Sequence, residues 1–248
     1  MRARHFFGDS YKTFQKSIGS YGVLTATIVI MILTRPFFEP DGRGGGLTDA
    51  FFVIIFLSSV LAARKKPINF ILAGCLGVLT FLAKIHFHFS AIAQLPLIIS
   101  ASTALFFLSV LIHLASDVWN NRHKVSGEVI YAAICAYLMI GMTWCYFYEF
   151  IEMAAPGSLK GPTMVMVKDD FFYFSFVTLS TLGFGDIIPV SRLARSFAII
   201  EAMTGQLYLA ILISRLVSAH VSDLQHQAAS KIAHLEKARA AWTDDRTP

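Results

Sequence analysis

Long runs of uncharged, apolar residues separated by short basic loops constrain this chain more than any other feature. A helix rises 1.5 Å per residue, so about 20 residues cross a hydrocarbon core roughly 30 Å thick. Between Lys16 and Arg35 lie 18 uncharged residues, and Gly44 to Ala63 holds only Asp49. Pro67 to Ala83 supplies 17 uncharged residues and Val129 to Tyr148 supplies 20. Ile85 to Ser116 gives 32 residues without Asp, Glu, Lys or Arg, room for an external turn and one span starting near Ala91. Ser196 to Ser214 carries a single carboxylate, Glu201. The reading is an all-α membrane protein with six transmembrane helices.

Only 15% of the residues are charged, against about 25% in a soluble domain. That excludes a disordered chain, a nucleic-acid-binding domain and an ordinary soluble enzyme. The net charge of +5 comes from basic residues that punctuate the apolar blocks, where they set orientation. Arg2, Arg4, Lys12, Lys16, Arg64, Lys65, Lys66, Arg122, Lys124 and the tail after Arg215 fall on one side. Arg35, Arg43, Lys84, Lys160, Lys168, Arg192 and Arg195 fall on the other. The bias puts both termini in the cytoplasm of a multi-pass protein of the plasma membrane, in a prokaryote the inner membrane. Cys75, Cys135 and Cys145 lie inside apolar runs and read as reduced packing residues.

One apolar stretch, Phe171 to Leu182, is too short to span and reads as a re-entrant helix. Asp169 and Asp170 precede it and suit a helix N-terminus. It runs into Thr181-Leu182-Gly183-Phe184-Gly185-Asp186, where glycines end the helix. Non-helical backbone at membrane depth must be buried in protein or line a polar cavity. Residues 181–185 suit the second role. Glycines at alternate positions let carbonyls point to one side, and stacked carbonyl rings replace the water around a dehydrated cation. The negative end of the short helix favours a cation nearby. One chain makes no ring, so the reading requires an oligomer.

Val177 to Asp186, ending Thr-Leu-Gly-Phe-Gly-Asp, resembles the pore signature of potassium channels, usually Thr-Val-Gly-Tyr-Gly-Asp. Leu182 replaces the usual Val and Phe184 the usual Tyr. Both keep the backbone register, and Phe184 lacks the phenol hydroxyl that braces the filter in the family. The resemblance covers the last two spans. It implies an outer helix over Val129 to Glu152, a pore helix over Phe171 to Ser180 and an inner helix over Leu193 to Val217. It implies a selectivity filter of Thr181, Leu182, Gly183, Phe184 and Gly185, with K+ held at Thr181 to Phe184 and Asp186 at the outer mouth. Ser175, Thr178 and Glu201 would support the pore helix from behind; Glu201 is a structural carboxylate or a proton sensor. Gly205 is a hinge or a packing site, and Ser214, Leu216 and Val217 sit at the expected inner gate.

The implied protein is a homotetrameric potassium channel of prokaryotic type in a lipid bilayer. K+ is its permeant ion, it has no cofactor and binds no nucleic acid, and it is not an enzyme. A non-selective Na+/K+ channel and a non-conducting channel-fold receptor or scaffold are the alternatives. A transporter is disfavoured because the chain holds one pore loop, not four. Six spans with the pore in the last two resemble the voltage-gated class, yet the fourth span has no Arg or Lys, only His113. That removes the usual voltage sensor.

The expected divisions are a cytoplasmic arm over 1–16 and a four-helix peripheral domain over 17–116. A linker over 117–128, the pore domain over 129–217 and a cytoplasmic tail over 218–248 follow. Lys84, His86 and His88 are assigned to an interfacial loop. The glycines at 42 and 44–46 lack the ending of a phosphate-binding loop. Ala154 to Lys168 reads as an exposed turret. Leu224, Ala228, Ile232 and Leu235 suggest a short amphipathic helix.

Overall fold

A computed structural model describes residues 21–34, 37, 53–55, 67–89, 95–120, 127–162 and 166–244. The fold is mostly α-helical: α1 Tyr21–Thr34, α2 Pro67–Phe89, α3 Leu95–Asn120, α4 Gly127–Ala154, α5 Lys168–Leu179 and α6 Arg192–Asp244. Two short strands, β1 Leu159–Lys160 and β2 Ile188–Pro189, pair antiparallel with Leu159 opposite Pro189 and Lys160 opposite Ile188. Among the described residues three helices are long and apolar enough to cross a membrane: Leu95–Ser116, Ile130–Ala154 and Arg192–Ser218. Tyr21–Thr34 and Gly74–Lys84 are shorter apolar helices. The arm over 1–16, most of the run from Gly44 to Ala63 and the glycine-rich loop before it lie outside the described residues.

Helix α3 packs along α4, and α2 packs on α3. One apolar core joins Leu24, Ile28 and Met31 of α1 to Phe106, Phe107 and Val110 of α3 and Cys135, Ala136 and Met139 of α4. A second core, richer in aromatic rings, joins α4, α5 and the start of α6. There Phe147 and Phe197 meet edge to face at 4.7 Å, and Tyr148 meets Phe174 at 4.9 Å. Such pairs add about 0.5–1.5 kcal/mol beyond the area they bury.

Two expectations about element ends are corrected and a third is extended. Lys84, His86 and His88 lie in the last turns of α2, not in a loop, because no Gly or Pro interrupts the run from Val78 to Phe89. The turret is only partly exposed: Ser158 and Leu159 are buried. Both oxygens of Glu152 hold its turn, accepting from the backbone N–H of Gly157 at 2.7 Å and of Leu159 at 2.9 Å. The apolar span of the inner helix is Arg192–Ser218, as read, but the helix does not end there: α6 runs 53 residues without a break, since no Gly or Pro occurs from Gln206 to Asp244.

Candidate functional site

Helix α5 starts at Lys168 after Val167. Asp170 reaches back one turn, its carboxylate accepting the Val167 N–H at 2.8 Å. That satisfies a donor left free at a helix start. At the other end, the Thr181 N–H bonds the Thr178 carbonyl at 3.0 Å and the Leu182 N–H bonds the Val177 carbonyl at 2.9 Å. This is a Schellman ending, which usually places a glycine in the left-handed conformation just past the helix. Here the position is Thr181, with φ +59°, the one non-glycine residue with positive φ among those described. A β-branched residue there costs roughly 1–2 kcal/mol.

Gly183 and Gly185 follow with φ of +57° and +81°. Positive φ therefore falls at 181, 183 and 185, with Leu182 and Phe184 between them at negative φ. Alternation of the two hands turns successive N–H groups to one side of the chain and successive carbonyls to the other. In an ordinary strand the carbonyls alternate. All five residues are exposed in the single chain, with Leu182 at 61% and Phe184 at 67%.

The segment is held from the side by α5 and from below by α6. Phe184 stacks on Tyr173 of α5 at 6.5 Å and 10°. Gln206 donates from its amide to the Thr181 hydroxyl at 3.2 Å. The Ser191 hydroxyl accepts the Ala194 N–H at 3.1 Å and caps the start of α6.

Behind the segment, Glu201 is fully buried. Its carboxyl oxygens contact Ser175 Oγ at 2.6 Å and the Tyr148 hydroxyl at 2.7 Å. Thr178 is not among its partners; the structure brings Ser175 and Glu201 together and leaves Thr178 one turn away along α5. Two glycines allow the close approach. A β-carbon at Gly205 would overlap the carbonyl oxygen of Leu179, and one at Gly141 would lie 2.7 Å from the ring of Phe176. Gly205, read as a hinge or a packing site, lies against Leu179 in a stretch where α6 is unbroken. Further along, Ser214 and Val217 are exposed and Leu216 is half-buried.

Tyr148, Gly141, Tyr173 and Gln206 were not singled out from the sequence. Each lies on a helix face that periodicity marks as buried or polar without naming its neighbour. Among the described residues no group of three His, Cys, Asp or Glu side chains is placed to hold a metal ion.

Residues 128–221 match a family model described as "Ion channel". Over 59 residues the chain is 46% identical to two-pore potassium channel 4 of Arabidopsis thaliana, covering 24% of this chain and 20% of that protein. Over 100 residues it is 37% identical to the inward rectifier potassium channel Kirbac3.1 of Paramagnetospirillum magnetotacticum, covering 38% of this chain and 31% of that protein. It is also 24% identical over 120 residues to protein LctB of Bacillus caldotenax, covering 44% of this chain and 88% of that protein. No solved structure matches. The chain spans less than a third of the potassium-channel relatives named here.

The chain therefore carries a potassium-channel-like pore module, built from α4, α5, the segment over 181–186 and α6. Proteins of the matched family are channels, not enzymes. Its apolar helices and these relatives assign it to a membrane.

Proposed function

We propose that the chain is one subunit of a homotetrameric potassium channel that conducts K+ passively, with residues 181–185 as its selectivity filter. The observation that carries this reading is the alternation of positive φ at Thr181, Gly183 and Gly185, between a short helix and a long apolar one. Carbonyls aligned on one side of four copies make stacked oxygen rings that replace a hydration shell. K+ would be held at Thr181, Leu182, Gly183 and Phe184, with Asp186 at the outer mouth.

Exposure of the whole segment in one chain supports an assembly that covers it. So does the inner helix: 11% of its apolar window is buried, against 56% for the outer helix. Six spans, a re-entrant α5, cytoplasmic termini and the divisions at 16/17, 116/117, 128/129 and 217/218 complete the proposal. Ser175, Thr178 and Glu201 act as supports. Gly205 serves as a hinge, and Ser214, Leu216 and Val217 as an inner gate. Helix α3 contains no Arg or Lys, which supports gating by something other than voltage.

Phe184 favours a second reading, a less selective Na+/K+ channel, because its ring has no hydroxyl to anchor the filter. Bi-ionic reversal potentials of the purified protein in liposomes separate the two. Reversal near the potassium limit is the expected result. Reversal near zero with intact current selects the second reading, and absence of current under all stimuli sinks both in favour of a scaffold.

A further inference from the structure

A buried hydrogen-bonded chain crosses α4, α5 and α6 behind the segment over 181–185. Glu201 of α6 has no exposed surface. One of its oxygens lies 2.7 Å from the Tyr148 hydroxyl of α4 and the other 2.6 Å from Ser175 Oγ of α5. The same Ser175 Oγ lies 2.8 Å from the Gly141 carbonyl oxygen of α4. A serine hydroxyl has one hydrogen to give, and a backbone carbonyl can only accept. Ser175 can divide its hydrogen between Gly141 and Glu201, as Thr25 does between Tyr21 and Tyr131 at 2.9 and 3.1 Å, or receive a second one from Glu201. Only the second gives each of these two short contacts a hydrogen of its own, and of the two partners only a carboxyl group can supply it.

We infer that Glu201 holds a proton and that its neutral carboxyl group is a positioning residue for the pore helix. Glu201 donates to Ser175, Ser175 donates to Gly141, and Tyr148 donates to the second oxygen of Glu201. Each contact then has one hydrogen and each oxygen a partner. Ionised, the same carboxylate would leave the two Ser175 contacts one hydrogen between them. It would also bury an anion with no cation beside it, an arrangement proteins avoid.

The groups facing the carboxyl are the Tyr148 and Tyr137 phenols of α4 and the Ser175 hydroxyl of α5. Among the described residues no Lys, Arg or His pairs with it. Two further contacts put the chain at the filter's back. Ser175 lies on α5, the helix that leads into Thr181, and Tyr148 packs edge to face on Phe174 beside it. Loss of the proton, released to bulk water at alkaline pH, would therefore loosen α5 from both neighbouring helices at once. The role in conduction rests on the proposed function, whereas the protonation does not.

The test uses the full chain in liposomes and has two readouts. Infrared difference spectra, wild type against Glu201→Gln at neutral pH, should contain the carbonyl stretch of a neutral carboxylic acid that the variant lacks. Tyr148→Phe should shift that band. Carboxylate bands in its place, or a band indifferent to Tyr148→Phe, would overturn the inference.

The second readout is function. Gln offers a donor to Ser175 and an acceptor to Tyr148. Glu201→Gln should therefore keep K+ flux and tetramer melting within about twofold and a few degrees of wild type, and lose their decline at alkaline pH. Glu201→Ala should lower flux about tenfold or more. A Gln variant as damaged as the Ala variant would overturn the inference. If no form conducts, the channel reading fails while the infrared band and the melting profile still decide the protonation.

Discussion

In the peripheral helices the hydroxyl groups turn back on their own backbone. Thr27 and Thr34 of α1, Thr80 of α2 and Thr103 of α3 each bond the carbonyl four residues earlier, at 2.7–2.9 Å. Such bonds satisfy a polar group in an apolar surrounding without fixing a neighbour. Thr25 is an exception, bonding both Tyr21 O and Tyr131 O of α4. In the pore module Thr143, Ser196 and Thr204 turn back in the same way, but other bonds cross between helices. Tyr208 of α6 donates to the Ala133 carbonyl of α4 at 2.6 Å, Ser175 and Tyr148 meet Glu201, and Gln206 meets Thr181. The first region is held mainly by apolar packing, and the second by apolar packing with directional bonds between helices added to it. The family match falls on the second region, residues 128–221.

Four substitutions sharpen this contrast, from the largest effect to the smallest. Gly185→Ala puts a β-carbon at φ +81°, costing about 1–2 kcal/mol per subunit. Compounded over an assembly, potassium current should fall at least about a hundredfold in liposome recordings. Gly205→Ala forces α6 off the Leu179 carbonyl. Overpacking of this kind costs about 1–3 kcal/mol, against roughly 1 kcal/mol regained in helix propensity, and should appear as lower thermal stability in detergent.

Thr181→Gly should split two readouts. Relief of the left-handed strain raises stability by about 0.5–1 kcal/mol, while loss of the hydroxyl that meets Gln206 lowers K+ over Na+ selectivity in bi-ionic recordings. A variant less stable than wild type would show that Thr181 is not strained. Thr25→Ala, in the peripheral region, removes one bond to α4 and should cost no more than about 1 kcal/mol, with current unchanged. A loss of current there would break the comparison outright.

How much of this was legible in the sequence depends on the range of the interaction. The filter hexapeptide and the short run before it are local, and glycines at 183 and 185 announce their backbone by having no side chain. The Glu201 site was half legible. An intramembrane carboxylate demands a partner, and Ser175 was a stated candidate, but Tyr148 is 53 residues away and nothing local points to it. Thr178 was named with Ser175 because both lie on α5. The contact singles out Ser175, which approaches Glu201 across the gap that Gly141 and Gly205 open on either side of α5. The strain at Thr181 was hidden because a threonine does not advertise positive φ. The inner span, read as Leu193 to Val217, coincides with the apolar stretch Arg192–Ser218; that it continues as one helix to Asp244 was legible only in the absence of Gly and Pro beyond Gln206.

The length of α6 has a mechanical consequence. From Gly205 to Asp244 the unbroken helix measures roughly 58 Å, and from Gly205 to Val217 roughly 18 Å. With the hinge proposed at Gly205, it is a lever with unequal arms. For each degree of tilt about Gly205, the far end sweeps about 1 Å while the position of Val217 moves about 0.3 Å. A force applied at the distal end of the rod is multiplied about threefold where it nears the membrane, so a weak contact far from the permeation path has the leverage to work on it.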